Sequence, residues 1–137
     1  MLHMVKLCVG VSDVAHLRAL QAARFAQTGQ LLHRTRSFPK RAAEIRDGGS
    51  LFWVIAGAIV VRQRIPDIIE DATEDGRRCA AIMLDPELVA VAGRPTRPFQ
   101  GWRYLAADAA PVDLGDLADD GSMPEGLRRE LRKLGLL

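Results

Sequence analysis

Ser50-Leu-Phe-Trp-Val-Ile-Ala-Gly-Ala-Ile-Val-Val-Arg-Gln-Arg-Ile65 is the stretch on which the fold turns. Its first half, residues 50–56, is a dense apolar and aromatic run too short for a buried helix, which predicts a central strand. Gly57 permits a tight turn. Residues 58–65 then alternate, with Ile59, Val61, Gln63 and Ile65 on one face and Val60, Arg62 and Arg64 on the other, because strand side chains repeat with period two. One face is therefore core and the other partly basic.

Upstream, residues 1–11 read as a strand buried on much of both faces, interrupted by Lys6. Ser12 stands where an N-cap would, and Val14, Leu17, Leu20 and Phe25 give an apolar helix face that Gly29 stops. Residues 31–38 can be extended, with Arg34 and Arg36 on the same side, and Pro39 opens a short helix over 40–46. Downstream, Pro66 and the acidic residues 67–76 read as a connection, residues 77–84 as a strand and 88–91 as one more. Residues 105–121 have weak periodicity and read as a linker. Ser122 and Glu125 then form a capping box ahead of a Leu127, Leu131 and Leu134 stripe. Strands outnumber helices, which come early and late. The fold class is α+β, a small mixed or antiparallel β-barrel with peripheral helices, divided into a domain at 1–112 and an acidic linker with a C-terminal helix at 113–137.

The chain has 137 residues, enough for one domain with its own core, and its apolar and charged fractions are those of a folded protein. The longest apolar run is the one over residues 51–61, about half of what a membrane-spanning helix needs. No signal-peptide hydrophobic region precedes it, so the expected compartment is cytoplasmic. Cys8 and Cys79 sit in apolar surroundings, as packed reduced thiols do. No metal-type ligand spacing surrounds them or His3, His16 and His33, and no cofactor is implied.

Charge is unevenly distributed. Residues 1–64 hold ten Lys and Arg against three Asp and Glu, whereas residues 65–137 hold nine against fourteen. Arg34, Arg36, Lys40, Arg41, Arg46, Arg62 and Arg64 face only Glu44 and Asp47 between residues 34 and 64. Such a stretch is either an anion-binding surface, since the guanidinium fork suits phosphate oxygens, or a basic face that the later acidic segments fold over and neutralise.

A second cluster, Arg94-Pro-Thr-Arg-Pro-Phe-Gln-Gly-Trp-Arg-Tyr104, places three of the seven aromatics within six residues. Prolines introduce it, and Gln100 and Arg103 interleave it. Phe99, Trp102 and Tyr104 could stack on bases while arginine meets phosphate, or could cap the open end of a barrel. Walker, dinucleotide, nucleophile-elbow and zincin motifs are missing. His33 is the one histidine placed to act as a base, since neighbouring Arg34 and Arg36 would favour its neutral form.

Leu2-His-Met-Val-Lys-Leu-Cys-Val-Gly10, Pro39-Lys-Arg-Ala42, Asp47-Gly-Gly-Ser-Leu-Phe-Trp-Val-Ile55, Arg62-Gln-Arg-Ile65, Leu84-Asp-Pro-Glu-Leu-Val89 and Arg97-Pro-Phe-Gln-Gly-Trp-Arg-Tyr-Leu105 occur in this order. Together they resemble the domain-of-unknown-function family 1489 over roughly residues 1–112. That resemblance carries no activity and no site residues. A looser one, of a helix leading to a Gly-Gly turn, an apolar strand and a strand with basic residues, is to the PUA-like superfamily with its ASCH, EVE and YTH domains. It implies a small barrel whose cleft binds RNA or modified bases.

The reading that joins these features is a non-enzymatic module for RNA or single-stranded nucleic acid. Arg34, Arg36, Lys40, Arg41, Arg62, Arg64 and Arg103 would contact phosphate, Trp53, Phe99, Trp102 and Tyr104 would stack, and Gln63 and Gln100 would read base edges. The alternative is an enzyme on a nucleotide or small anionic substrate, with His33 or Glu44 as base and Arg62 and Lys40 as anion clamp. The C-terminal leucine stripe either docks on a partner or closes its own domain.

Overall fold

The chain runs β1 (Leu2–Leu7), α1 (Val14–Thr28), β2 (Leu31–Thr35), α2 (Ala42–Arg46), β3 (Ser50–Ile55), β4 (Ala58–Arg64), β5 (Asp67–Ala72), β6 (Arg78–Leu84), β7 (Val89–Pro95) and β8 (Trp102–Ala106), then a 3-10 turn at Ala107–Ala109. This computed structural model describes residues 1–115. The capping box and the Leu127, Leu131 and Leu134 stripe lie outside the described residues.

The quoted stretch forms the β3–β4 hairpin at the centre of a five-stranded sheet of order β7-β4-β3-β1-β8. Its turn puts both Ala56 and Gly57 at positive φ, 52° and 82°, the pairing that matches the twist of a two-residue hairpin. β1 lies parallel to β3, and the crossover this demands is supplied by α1, β2 and α2. β2 leaves that sheet and joins a second one of order β2-β6-β5.

The main core fills the space between the sheets. Met4, Leu51, Trp53 and Val61 from the larger sheet meet Leu31, Ile68, Ala80 and Ile82 from the smaller, with Val14 and Leu17 of α1 and Ile45 of α2 at its margins. The opposite face of the larger sheet carries a second cluster, Val5, Phe52, Val54, Ile59, Val91 and Phe99. The chain after β7 covers that face, and an Ala92 N–H to Val112 O bond and a Val91–Asp113 bridge hold it there. Leu114 is buried as well.

Several elements depart from the sequence reading. Ile59 does not share a face with Val61, because the ladder shifts register between them and turns Ile59 to the outer cluster. The presumed connection over 67–76 contains β5. Its acidic residues hide the alternation, since β5 is an edge strand whose outward charges keep the edge solvated. Similarly, the prolines at 95 and 98 precede β8 rather than prevent it. The N-cap of α1 is Asp13, whose carboxylate accepts from the His16 N–H at 2.7 Å, one residue after Ser12. Leu20 and Phe25 stay exposed on α1, while Gln21 is buried.

The architecture is thus α+β in two packed layers, with α1 and α2 as the helices named among the described residues. The sheets are not closed into a barrel: β2 ends one sheet and β8 the other, with no ladder between them among the described residues. That open seam positions the candidate site. No described helix is long and apolar enough to cross a membrane.

Candidate functional site

Lys6 is where the inter-sheet layer meets solvent. In the ladders it lies opposite Trp53 of β3 on one side and Trp102 of β8 on the other. From it a groove of about 700 Å³ runs along the seam between the end of β2 and the start of β8, lined by Arg34, Arg36, Gln100 and Trp102. A narrower pocket of about 200 Å³ opens beneath α1, between the end of β1 and β2, and shares Lys6 with the groove. A third concavity beside β2 shares Arg24 and His33 with the pocket and Arg34 with the groove. Among the described residues, no carboxylate lines any of the three.

The cations differ in how they are held. Arg34 Nε lies 3.0 Å from the Asp71 carboxylate of β5, and Arg46 lies 2.8 Å from Asp67. The acidic segment therefore neutralises part of the basic stretch. Arg36, Lys6 and Arg24 meet no carboxylate among the described residues. Hydrogen bonds from the Ala72 N–H first and then from Arg34 hold the Asp71 carboxyl below its ordinary range.

Of the residues expected to form one site, the structure brings Arg34, Arg36, Gln100 and Trp102 together and disperses the rest. Gln63 is 0% exposed. Its Oε1 accepts from Trp53 Nε1 and Gln21 Nε2, each at 2.8 Å, and its Nε2 donates to Gln21 Oε1 at 2.7 Å and the Asp85 carbonyl at 3.0 Å. With those bonds made inside the core, it has no edge to offer a base. Trp53 is 3% exposed, so it supports the pocket wall instead of presenting a stacking face. Arg62 forms a bidentate pair with Asp113 at 2.7 and 2.8 Å and donates to Ser50 Oγ at 3.0 Å. Arg64 pairs with Ser50 in the ladder, three residues along β3 from Trp53, and is remote from the groove mouth.

The late aromatics split by strand alternation. Trp102 and Tyr104 share the inner face and meet edge to face at 5.0 Å. Phe99 is buried in the outer cluster under the Arg103 guanidinium, 4.8 Å from its ring. The Tyr104 hydroxyl accepts from the Arg41 N–H at 3.2 Å, while the Arg41 side chain grips Glu44 at 2.5 and 2.8 Å. Lys40 is exposed just ahead of α2 and lines none of the three concavities.

His33 occupies the wall shared by pocket and third concavity. Its Nε2 is buried and has no hydrogen-bond partner among the described residues. Its ring stands edge-on to Trp53 at 5.1 Å. Burial first, then the charges of Lys6 and Arg24, push its pKa down to about 4. The imidazole is neutral, as expected from its cationic neighbours, but the responsible cations are Lys6 and Arg24 and not Arg34 and Arg36. An imidazole this weakly basic is poorly matched to proton abstraction at neutral pH. Burial likewise raises the Cys8 thiol to about 11, which keeps it protonated and unreactive. Glu44 is locked to Arg41 and Arg62 to Asp113, and neither lines a cavity with His33. The groups of the enzymatic alternative thus do not converge. Both cysteines are free, and no group of three or more His, Cys, Asp or Glu suited to a metal occurs among the described residues.

Lys6 and Arg24 escaped the sequence reading. Lys6 had a signal, as the only charge inside an otherwise apolar strand. Arg24 had none, since a basic residue on a largely exposed helix is commonplace.

Fold and site together define a small two-layer α+β protein with an open, cation-lined seam between its sheets. The chain belongs to the family described as "Protein of unknown function (DUF1489)", whose model matches residues 4–137 and so extends past residue 112, where the motif resemblance ended. No curated protein and no solved structure matches the chain significantly.

Proposed function

We propose that this protein binds single-stranded nucleic acid, RNA foremost, along the groove between β2 and β8. What carries the reading is that Lys6, Arg24 and Arg36, cations without an ion-pair partner among the described residues, border three adjoining concavities whose lining holds no carboxylate; Arg36 also borders a separate one lined by Glu70 and Asp71. A cationic groove beside an aromatic face is the arrangement that tracks a phosphate backbone while stacking a base. Trp102 is partly exposed at the groove and offers that face, with Gln100 beside it to meet a base edge. The free edges of β2 and β8 add unpaired backbone donors and acceptors along the same path. A single strand can enter such a seam with its bases splayed, whereas a rigid duplex cannot.

Fluorescence anisotropy of labelled single-stranded RNA, single-stranded DNA and duplex DNA tests this. The paired substitution Arg36→Ala and Trp102→Ala should weaken single-strand binding at least about tenfold, from one lost phosphate contact and one lost stack. Arg64→Ala, away from the groove, should leave it unchanged. Absence of single-strand binding, or equal sensitivity to both sets of substitutions, would overturn the reading.

A further inference from the structure

The pocket beneath α1 has features the strand-binding groove does not require. It is enclosed by apolar side chains, chiefly Leu17, Leu31 and Leu84, yet holds one buried polar atom without a partner, His33 Nε2. Buried polar atoms in folded proteins are nearly always hydrogen-bonded, so an orphan on a side chain that lines a cavity points to a missing partner. Two cations, Lys6 and Arg24, line the same pocket, and neither has a carboxylate within reach among the described residues. Both also act electrostatically on His33 and on Cys8, the two titratable groups of the pocket wall. Positive charge is therefore directed at the cavity from two elements, β1 and α1.

The wall is built to stay in place. Trp53 is fixed through its Nε1 bond to Gln63, and Gln63 is fixed in turn by Gln21 of α1, itself a lining residue. A preformed, largely apolar cavity with a few convergent polar groups is the usual form of a small-molecule site. At about 200 Å³ it is smaller than the sites that take drug-sized ligands, which limits the occupant to a single ring or short branched chain with its head group.

We infer that this pocket binds a small organic anion, a carboxylate or phosphate monoester carried on one apolar ring or short chain. The anionic head lies among Lys6, Arg24 and the His33 imidazole, and the apolar body rests on Leu17, Leu31 and Leu84. A neutral imidazole suits this role, because it can donate one hydrogen bond without adding a third positive charge. The inference concerns a cavity apart from the groove, but it shares two cations, Lys6 and Arg24, with the strand-binding reading.

The test is an NMR titration of the full chain, read on the His33 ring and the Trp53 indole N–H. The probes are benzoate and phenyl phosphate (ring and anion), benzyl alcohol (ring alone) and inorganic phosphate (anion alone). At least one of the first two should bind saturably at millimolar concentration and shift both reporters, and which of them binds tighter distinguishes carboxylate from phosphate ligands. Arg24→Gln and Lys6→Met should each weaken that binding about tenfold, the effect of one charge-assisted hydrogen bond. Benzyl alcohol and inorganic phosphate should bind at least about tenfold more weakly than the better ring-bearing anion. No saturable shift with either ring-bearing anion, indifference to both substitutions, or equal binding of benzyl alcohol or inorganic phosphate would each overturn the inference. Arg36→Ala, outside the pocket, should leave benzoate binding intact, so failure of RNA binding and failure of this site are separately visible.

Discussion

Gln63→Leu keeps nearly the volume of the side chain but deletes the amide that ties β4 to α1, to Trp53 and to the turn after β6. Four hydrogen bonds vanish. Gln21 lines the pocket and can turn to water there, so its orphaning costs little. Trp53 Nε1–H has no such recourse, and a buried polar group left unpaired costs about 1–3 kcal/mol, while the carbonyl of half-buried Asp85 loses a bond of about 1 kcal/mol. The substitution should therefore destabilise by about 3 kcal/mol, a large fraction of the about 5–15 kcal/mol that holds a domain together. Gln21→Ala alone leaves Gln63 bonded to Trp53 and Asp85 and should cost about 1 kcal/mol. In the Gln63→Leu background the same change removes an orphan and should cost nothing. Urea unfolding followed by circular dichroism, with unchanged m-values, gives all four corners of this cycle. A Gln63→Leu loss within about 1 kcal/mol of the parent, or strictly additive effects, would refute the reasoning.

Gly49→Ala should destabilise by several kcal/mol, at least about 3, since its Cβ would overlap the Leu2 carbonyl oxygen and come within 2.5 Å of that of Ile45, backbone atoms that cannot yield. Failure to express as a folded protein, against normal expression of Gly93→Ala, whose Cβ meets open space, is the expected outcome. Ala56→Asn should raise stability by about 0.5–1 kcal/mol in thermal unfolding, because asparagine tolerates the left-handed backbone that Ala56 adopts. His33 holds its proton less tightly when folded, with a pKa of about 4 against an ordinary 6.5, so the unfolded chain binds more protons between those values. Stability should then fall as pH drops through that window, by up to about 3 kcal/mol from His33, and His33→Gln should remove that share of the slope in urea midpoints compared between about pH 7 and pH 4.5, leaving the part due to His3, whose pKa burial also lowers.

How much was legible in the sequence depended on whether the deciding contacts were local. The β3–β4 hairpin could be read from alternation and a glycine turn, and α1 from Gly29 and a polar start placed at Ser12, one residue before the true cap Asp13, because caps and turns act over a few residues. β5 was hidden because an edge strand carries charge where a central strand carries apolar residues. The bulge beside Val60 left no mark in composition, and it moved Ile59 to the other face. The same division holds at the site. Arg34 and Arg36 could be paired by strand period, and Trp102 by its aromatic company. Arg62 could not be recognised as engaged, since its partner Asp113 lies 51 residues away. Gln63 reads as a polar residue on a strand, and only the packing of α1 reveals it as the hub of a buried network. Lys6 and Arg24 join the site through the seam between sheets, a tertiary feature that no spacing encodes.

The central claim is that a strand runs over the cations of this seam, and the most direct measurement is the salt dependence of RNA affinity. Each phosphate neutralised on a single strand contributes about −0.7 to the slope of log affinity against log salt. Lys6, Arg24 and Arg36, with Arg34 partly engaged by Asp71, predict a parent slope of about −2 to −3, reduced by about 0.7 in Arg36→Ala and unchanged in Arg64→Ala. A slope near zero, or one that Arg64→Ala flattens and Arg36→Ala does not, would contradict it.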